Sequence, residues 1–334
     1  MQGLSCGRPD LRARTAAAFA PAAITNFFSV RYKPQADGDF RNVGATGGGY
    51  VLSKGVTTRA TLRETLGDNR IEVIVDGDPK YLAGTTRKAV ELLFSGHGRP
   101  RGRLILEQSM GIPVGCGFGA SAAAAISAVY AVAAAMRLKL AKRELAYYAH
   151  VADIVEQTGL GTVSVTYDGT GAGAITRAGA PGISRFLNVE YPSGTKIVTA
   201  WLAPFKKSDA IARPGTVKRI NRLGNKALRN LVATPTLETL ASEGERFSEG
   251  LGLMTSEVRD LAKLAKASGA SYASQNMIGY AVHALTTAAR AEAVAAALRD
   301  SSAKPLVEVF EIGSRRAGVL KPRVTASRRS AVPS

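Results

Sequence analysis

The sequence predicts a two-domain α/β protein with α+β character in its second half, and three observations predict it. The chain has 334 residues, 46% hydrophobic and 21% charged, longer than a usual single domain and matched to a folded α/β composition. Strand-like and helix-like segments alternate through the first half. Beyond residue 190 a fresh strand leads into helical periods, so the domain boundary falls near that point, with units 14–190 and 191–322.

In chain order, Thr15–Val30 and Tyr50–Leu62 carry β-branched and aromatic residues beside turn signals and read as strands, with Gly44–Gly49 (GATGGG) a loop between them. Ile71–Val75 is a short apolar strand. Tyr81–Phe94 has helical spacing, and Arg103–Gln108 is a strand. A helix begins near Gly119, and an amphipathic helix spans Lys142–Gln157. Asp168–Gly173 is a second glycine-rich segment, followed by a turn at Ala174–Gly182. Lys196–Leu202 is a strand, helical periods run through Arg299, and Pro305–Ile312 closes the fold as a strand.

Two cysteines, Cys6 and Cys116, make neither a disulfide framework nor a cysteine-rich zinc site, which places the protein in a reducing, cytoplasmic compartment. The uncharged run Gly111–Met136 is long enough to span a bilayer, but it is mostly Ala and Gly and opens as a loop. It reads as a buried central helix, so no membrane partner is expected. Met1–Arg14 lacks the apolar core of a signal peptide.

The formal charge is +18. Arg315, Arg316, Lys321, Arg323, Arg328 and Arg329 supply six of those charges with no acid among them, and residues 323–334 read as a solvated basic tail. The remaining excess raises the potential around any cleft and favours anionic small molecules. With 6% aromatics and no RNA-binding motif, a specific nucleic-acid partner is not expected.

The strongest chemical signal is Pro113–Ala123, PVGCGFGASAA. Gly115, Gly117 and Gly119 remove side chains so that backbone N–H groups can face a ligand, and the helix start adds its positive dipole end. This suits nucleotide phosphates. A P-loop is excluded because GxxxxGK[ST] is absent. GCGFGA satisfies a dinucleotide fingerprint, but the acidic residue needed about 20 positions on has no strand end to sit on.

Pro113, Gly115, Gly117, Gly119, Ser121, Ala122 and Ala123 resemble the second motif of the GHMP kinases, with Phe118 for Leu and Ala120 for the first Ser. PAAITNFF from Pro21, GATGGGYVLSKGV from Gly44, AHVADIVEQTGLGTV from Ala149, RAGAPG from Arg177 and SQNMIGYAVHAL from Ser274 are similar to the archaeal pantoate kinase family. The resemblance implies an N-terminal domain like ribosomal S5 domain 2, a C-terminal α+β domain, and ATP with Mg²⁺ between them. Pro113, Gly115, Gly117, Gly119, Ala120 and Ser121 would hold the nucleotide. Ser121 and Asp153 would be catalytic and would bind metal, with Glu156 in reserve one turn later. His150 and Arg177 would bind pantoate, and Thr25 and Thr46 would add hydroxyls from the N-terminal loops. The family suggests a homodimer. His97 and His283 carry no such support and read as structural or surface residues.

The match breaks at Thr162, where the family has an aspartate resembling a catalytic base. Three readings stay open. Another carboxylate such as Asp168 has taken over, the transfer runs on positioning and electrostatics, or the activity is lost or moved to another acceptor. Ala45 and Ala23 likewise replace a family serine and histidine.

Overall fold

The structure is a computed structural model and describes residues 13–32, 39–64, 69–203 and 215–321. Two long strands, β1 (Ala13–Arg31) and β2 (Gly44–Arg63), form the antiparallel centre of a first sheet. The C-terminal half of β2 pairs with β4 (Arg103–Met110), and β3 (Ile71–Val75) lies parallel to β4 across helix α1 (Gly84–His97). The N-terminal half of β2 pairs instead with β5 (Ala172–Arg177), which pairs with β6 (Arg185–Val189).

Helix α2 (Ala120–Ala135) lies on β1 and β2, with α1 and α3 (Lys142–Val155) packed over it. Its alanine content explains this position. A helix whose side chains are mostly methyl groups can approach a sheet and two helices at once, and inserting methylenes into such a core costs about 1–3 kcal/mol. Every residue of α2 except Ser121 and Ala134 is buried. Among the described residues, no helix is long and apolar enough to cross a membrane. A short helix, α4 (Thr162–Asp168), follows the glycine-containing turn after α3.

The second sheet is antiparallel, in the order β10 (Leu306–Glu311), β7 (Thr195–Ala203), β9 (Tyr280–Thr287), β8 (Tyr272–Gln275). Two helices, α5 (Thr216–Ala233) and α6 (Leu237–Leu251), precede β8 and pack on β1 of the first sheet. Val30 N donates to Asn221 Oδ1 at 2.6 Å, and Asn26 Nδ2 donates to Leu240 O at 3.1 Å. Helices α7 (Ser256–Ala267) and α8 (Ala288–Asp300) cover the second sheet, setting Leu261, Ala265, Val294 and Leu298 against Val198, Val282 and Ala284. Thr236 and Thr255 cap α6 and α7 by accepting from Thr239 N and Val258 N, as threonine at such positions does.

After β10 the chain returns to the first sheet. Gly313 N donates to Val51 O, Gly171 N donates to Gly313 O, and β11 (Gly318–Val319) pairs with β1 at Ala18 and Phe19. Arg315 lies over the Phe19 ring, 4.5 Å from its centroid. The start of the basic C-terminal segment is thus part of the fold, while residues 323–334 lie outside the described residues.

Three sequence expectations need correction. GATGGG is the start of β2, because β1 bulges toward it at Pro21/Ala23 and Thr25/Phe27. A Cβ on Gly49 would sit 2.0 Å from Ile24 O, so glycine serves close approach here and makes no turn. Ala174–Gly182 is half strand, since β5 runs to Arg177 and only the residues after it turn. The helical stretch ending at Arg299 contains β8 and β9, whose small side chains blur the period-two pattern.

Candidate active site

The glycine loop joins β4 to α2 and is held from two sides. Ala23 N of β1 donates to Phe118 O at 3.1 Å, and Asn276 Nδ2, from the loop between β8 and β9, donates to Cys116 O at 3.2 Å. Gly117 and Gly119 have φ of 82° and 67°, in the left-handed region that costs other residues about 1–2 kcal/mol. A Cβ on Gly117 would meet Asn276 Cβ at 2.8 Å. Gly119 precedes the first turn of α2, where no side chain caps the helix. The N–H groups of Ala120, Ser121 and Ala122 are therefore offered at the positive end of the helix, the arrangement that receives phosphate. Pro113 opens this loop, and Gly115 adds a third left-handed turn at φ 78°.

Ser121 leaves the start of α2 toward the end of α3. Its Oγ donates to Asp153 Oδ1 at 3.0 Å, and Thr158 Oγ1 donates to the same oxygen at 2.6 Å. Thr158 N and Gly159 N close a turn on Asp153 O, and Thr85 Oγ1 lies 3.0 Å from Thr158 Oγ1. Asp153 is 2% exposed, and among the described residues no ion pair reaches it. A buried carboxylate with hydroxyl neighbours and no cation is costly alone and suits a hard divalent ion. No group of three His, Cys, Asp or Glu stands ready for a metal among the described residues, so hydroxyl and phosphate oxygens would complete the coordination.

Glu156 does not join Asp153. Helix α3 ends at Val155, and the chain turns outward through Gln157 at φ 56°. The Glu156 carboxylate lies beside Gly84, where an added Cβ would fall 2.8 Å from Oε2. It there faces the first turn of α1, which has no acid of its own and gains from a negative charge.

A cavity of about 950 Å³ opens beside the loop, between the N-terminal half of β2, residues 154–165, β5 and Met277–Ile278. Thr25, Thr46, Thr158 and Thr162 line it, and its described lining contains no Asp, Glu, His, Lys or Arg. Thr46 Oγ1 shares a 2.6 Å hydrogen bond with Ser29 Oγ. Thr162 touches the glycine loop, since a Cβ on Gly119 would lie 2.5 Å from Thr162 Cγ2. Asp168, at the far end of α4, is outside the lining. Its carboxyl is pushed up chiefly by burial, against the Gly182 N–H, Arg316 and Ser184 that hold it down. It does not stand in for the missing aspartate.

His150 is also outside the cavity. Residues 39–43 cover it, and its Nε2–H donates to Phe40 O at 3.2 Å, while Phe40 itself lines the cavity. Burial pushes the imidazole pKa down, partly offset by the Phe40 carbonyl and the Asp153 charge. His150 therefore shapes the wall through Phe40. Arg177, the last residue of β5, is exposed and lies two residues beyond Ile175, which lines the cavity. Thr158 and Asn276 lie within stretches quoted for the family resemblance but carry no role there, and His283 reads only as a structural or surface residue. A threonine five residues after a candidate metal carboxylate was the available signal for the first.

A glycine loop ahead of an uncapped helix start, a buried Ser–Asp pair and a cavity of about 950 Å³ are the parts that a small-molecule kinase needs. Residues 84–169 match the GHMP kinases N terminal domain family. It is similar to the pantoate kinase of Methanospirillum hungatei, 27% identical over 275 residues, covering 80% of this chain and 86% of that protein. The pantoate kinase of Thermococcus kodakarensis is 27% identical over 288 residues, covering 85% and 91%. A solved structure described as a phosphotransferase related to the CoA biosynthesis pathway superposes with a TM-score of 0.81 at 26% identity, covering 91% of this chain and 98% of that one.

Proposed function

We propose that this kinase transfers the γ-phosphoryl group of ATP to the terminal hydroxyl of (R)-pantoate, giving 4-phosphopantoate and ADP in coenzyme A synthesis. The observation that supports this reading is that two residues of the cavity wall reach the other parts, Thr158 bonding Asp153 of the Ser121–Asp153 pair and Ala23 bonding Phe118 of the glycine loop, in a chain similar to pantoate kinases along most of its length. A volume of about 950 Å³ takes a small hydroxy acid together with a terminal phosphate.

In this reading the N–H groups around Gly115, Gly117 and Gly119 and at the start of α2 cradle the phosphates. Ser121 and Asp153 hold Mg²⁺, which when bound neutralises phosphate charge. Thr158 keeps Asp153 turned toward Ser121. Thr25 and Thr46 orient the acceptor, and Arg177 supplies the cation for its carboxylate at the rim. The acceptor oxygen forms a bond to phosphorus as the bond to ADP breaks, and its proton passes to solvent. Thr162 cannot accept that proton at neutral pH. A loose phosphoryl transition state asks little of a base, so positioning and electrostatics suffice. A cytoplasmic homodimer is the setting we propose, checked by sedimentation of the purified protein.

The test is ADP release with Mg·ATP and (R)-pantoate, run beside homoserine and mevalonate. Turnover dependent on pantoate supports the reading. Turnover only with another acceptor moves the substrate within the same fold, and silence with all three, despite ATP binding, refutes it.

A further inference from the structure

His283 lies in β9 directly opposite Ser274 of β8, and it is 3% exposed. Its Nδ1 is 2.9 Å from Asn276 Oδ1, and its Nε2 is 3.1 Å from Ser274 Oγ. Asn276 Nδ2 donates to Cys116 O in the glycine loop. For the neutral imidazole that burial favours, one proton arrangement satisfies this chain. A carbonyl can only accept, so the NH₂ of Asn276 must face Cys116. The amide oxygen then faces His283, whose Nδ1 must carry the proton. Nε2 is left bare and takes the Ser274 hydroxyl proton.

The surroundings leave this amide little freedom. Asn276 N donates to Ala281 O, Gln275 Nε2 donates to Gly279 O, and Met277 N donates to Thr25 O, which together fix the loop between β8 and β9. Gly279 packs on Cys116, where an added Cβ would fall 2.7 Å from its carbonyl carbon. Tyr50 closes the ring side edge-on, with centroids 5.8 Å apart. The peptide at Cys116–Gly117 thus receives a directed hydrogen bond whose direction is set by an imidazole in the other sheet.

We infer that His283 is a positioning residue for the phosphate loop, fixing the Asn276 amide so that Asn276 holds the Cys116 carbonyl and aims the N–H groups around Gly117 at the nucleotide. This rests on the reading of that loop as the nucleotide site. An imidazole is rigid and has two ring nitrogens with distinct roles, so it sets an amide flip that an apolar residue of the same shape cannot set.

The test measures Mg·ATP binding by calorimetry on the full chain without acceptor, for wild type, His283→Phe, Asn276→Ala, the double variant and His283→Gln. Wild type is expected to bind. His283→Phe and Asn276→Ala should each weaken binding about tenfold, the scale of one buried hydrogen bond. The double variant should bind no more weakly than Asn276→Ala alone, since both act through one contact. His283→Gln, which keeps a donor, should recover part of the loss. Unchanged affinity in folded His283→Phe, or losses that multiply in the double variant, would overturn the relay, whereas a wild type that binds no ATP would overturn the nucleotide-site reading instead. Nitrogen-15 NMR of the wild-type imidazole gives a second readout free of folding defects. The neutral Nδ1–H tautomer is required, and the Nε2–H tautomer refutes the assignment.

Discussion

Acidification should destabilise this protein through His283 before its carboxylates begin to protonate. Burial pushes the His283 pKa down to about 3 from an ordinary value of 6.5, and the neighbouring Tyr50 phenol, itself pushed up by burial, stays neutral. The unfolded chain therefore binds a proton near pH 6.5 that the native chain refuses until about pH 3. Between those values the unfolded state holds more protons, so the free energy of unfolding falls as pH falls. At about 1.4 kcal/mol per unit, the whole effect approaches 5 kcal/mol, and about 2 kcal/mol of it is spent between pH 7.5 and pH 5. Urea unfolding at closely spaced pH values should show that slope in wild type. His150, also depressed, adds a smaller slope of the same sign. His283→Phe will be less stable at every pH, yet its curve over this window should be flatter by about 2 kcal/mol. Parallel curves for the two proteins would refute the buried neutral imidazole.

Asp153→Asn and Ser121→Ala should each lower kcat by about a hundredfold or more while leaving the melting transition cooperative, the scale of losing one preorganised electrostatic contact; ADP release measures this, and chelation of Mg²⁺ should silence wild type until the metal is restored. Thr162→Ala should keep turnover within about tenfold, because a general base would be worth about a hundredfold or more; a larger loss would assign Thr162 a direct part. Gly119→Ala combines a left-handed φ of 67° with a 2.5 Å contact to Thr162 Cγ2, so it should raise the KM for ATP about tenfold or more, and Thr162→Ala in the same chain should return part of it. Arg177→Ala should raise the KM for pantoate about tenfold with kcat little changed, the mark of a rim contact that binds ground and transition states alike.

The glycine loop was legible because its chemistry is local. Closely spaced glycines leading into a helix can be read as a candidate anion site from a short run of consecutive residues. The Ser121–Asp153 contact depended on the family resemblance, since nothing in either segment tells that α2 and α3 meet there. What sequence misplaced was tertiary in origin. Glycine in GATGGG signals a turn by propensity, but here it admits the bulged backbone of β1, which lies some twenty residues away. Glu156 shares helical spacing with Asp153, yet α3 stops before it and the carboxylate swings to α1. His150 sits on the expected helix face, but residues 39–43 fold over it, and no periodicity in α3 can report a covering loop. His283 lies within SQNMIGYAVHAL yet has no assigned role in the sequence reading, because its partners in β8 and the following loop acquire meaning only when the second sheet meets the first.

The return of residues 312–320 onto β1 and β2 makes the molecule circular in its assembly although its chain is linear. The edge of the first sheet is supplied by some of the last described residues, which pair with some of the first. During synthesis, then, the outer edge of β1 emerges from the ribosome long before β11 exists, and at Ala18 and Phe19 it waits for a partner that comes nearly three hundred residues later. A nascent chain halted near residue 190 would carry the glycine loop and Asp153, but it would lack both the closing strand and the Asn276 clamp. If the glycine loop is the nucleotide site, the contact that Asn276 makes to Cys116 can form only after the second sheet has been made.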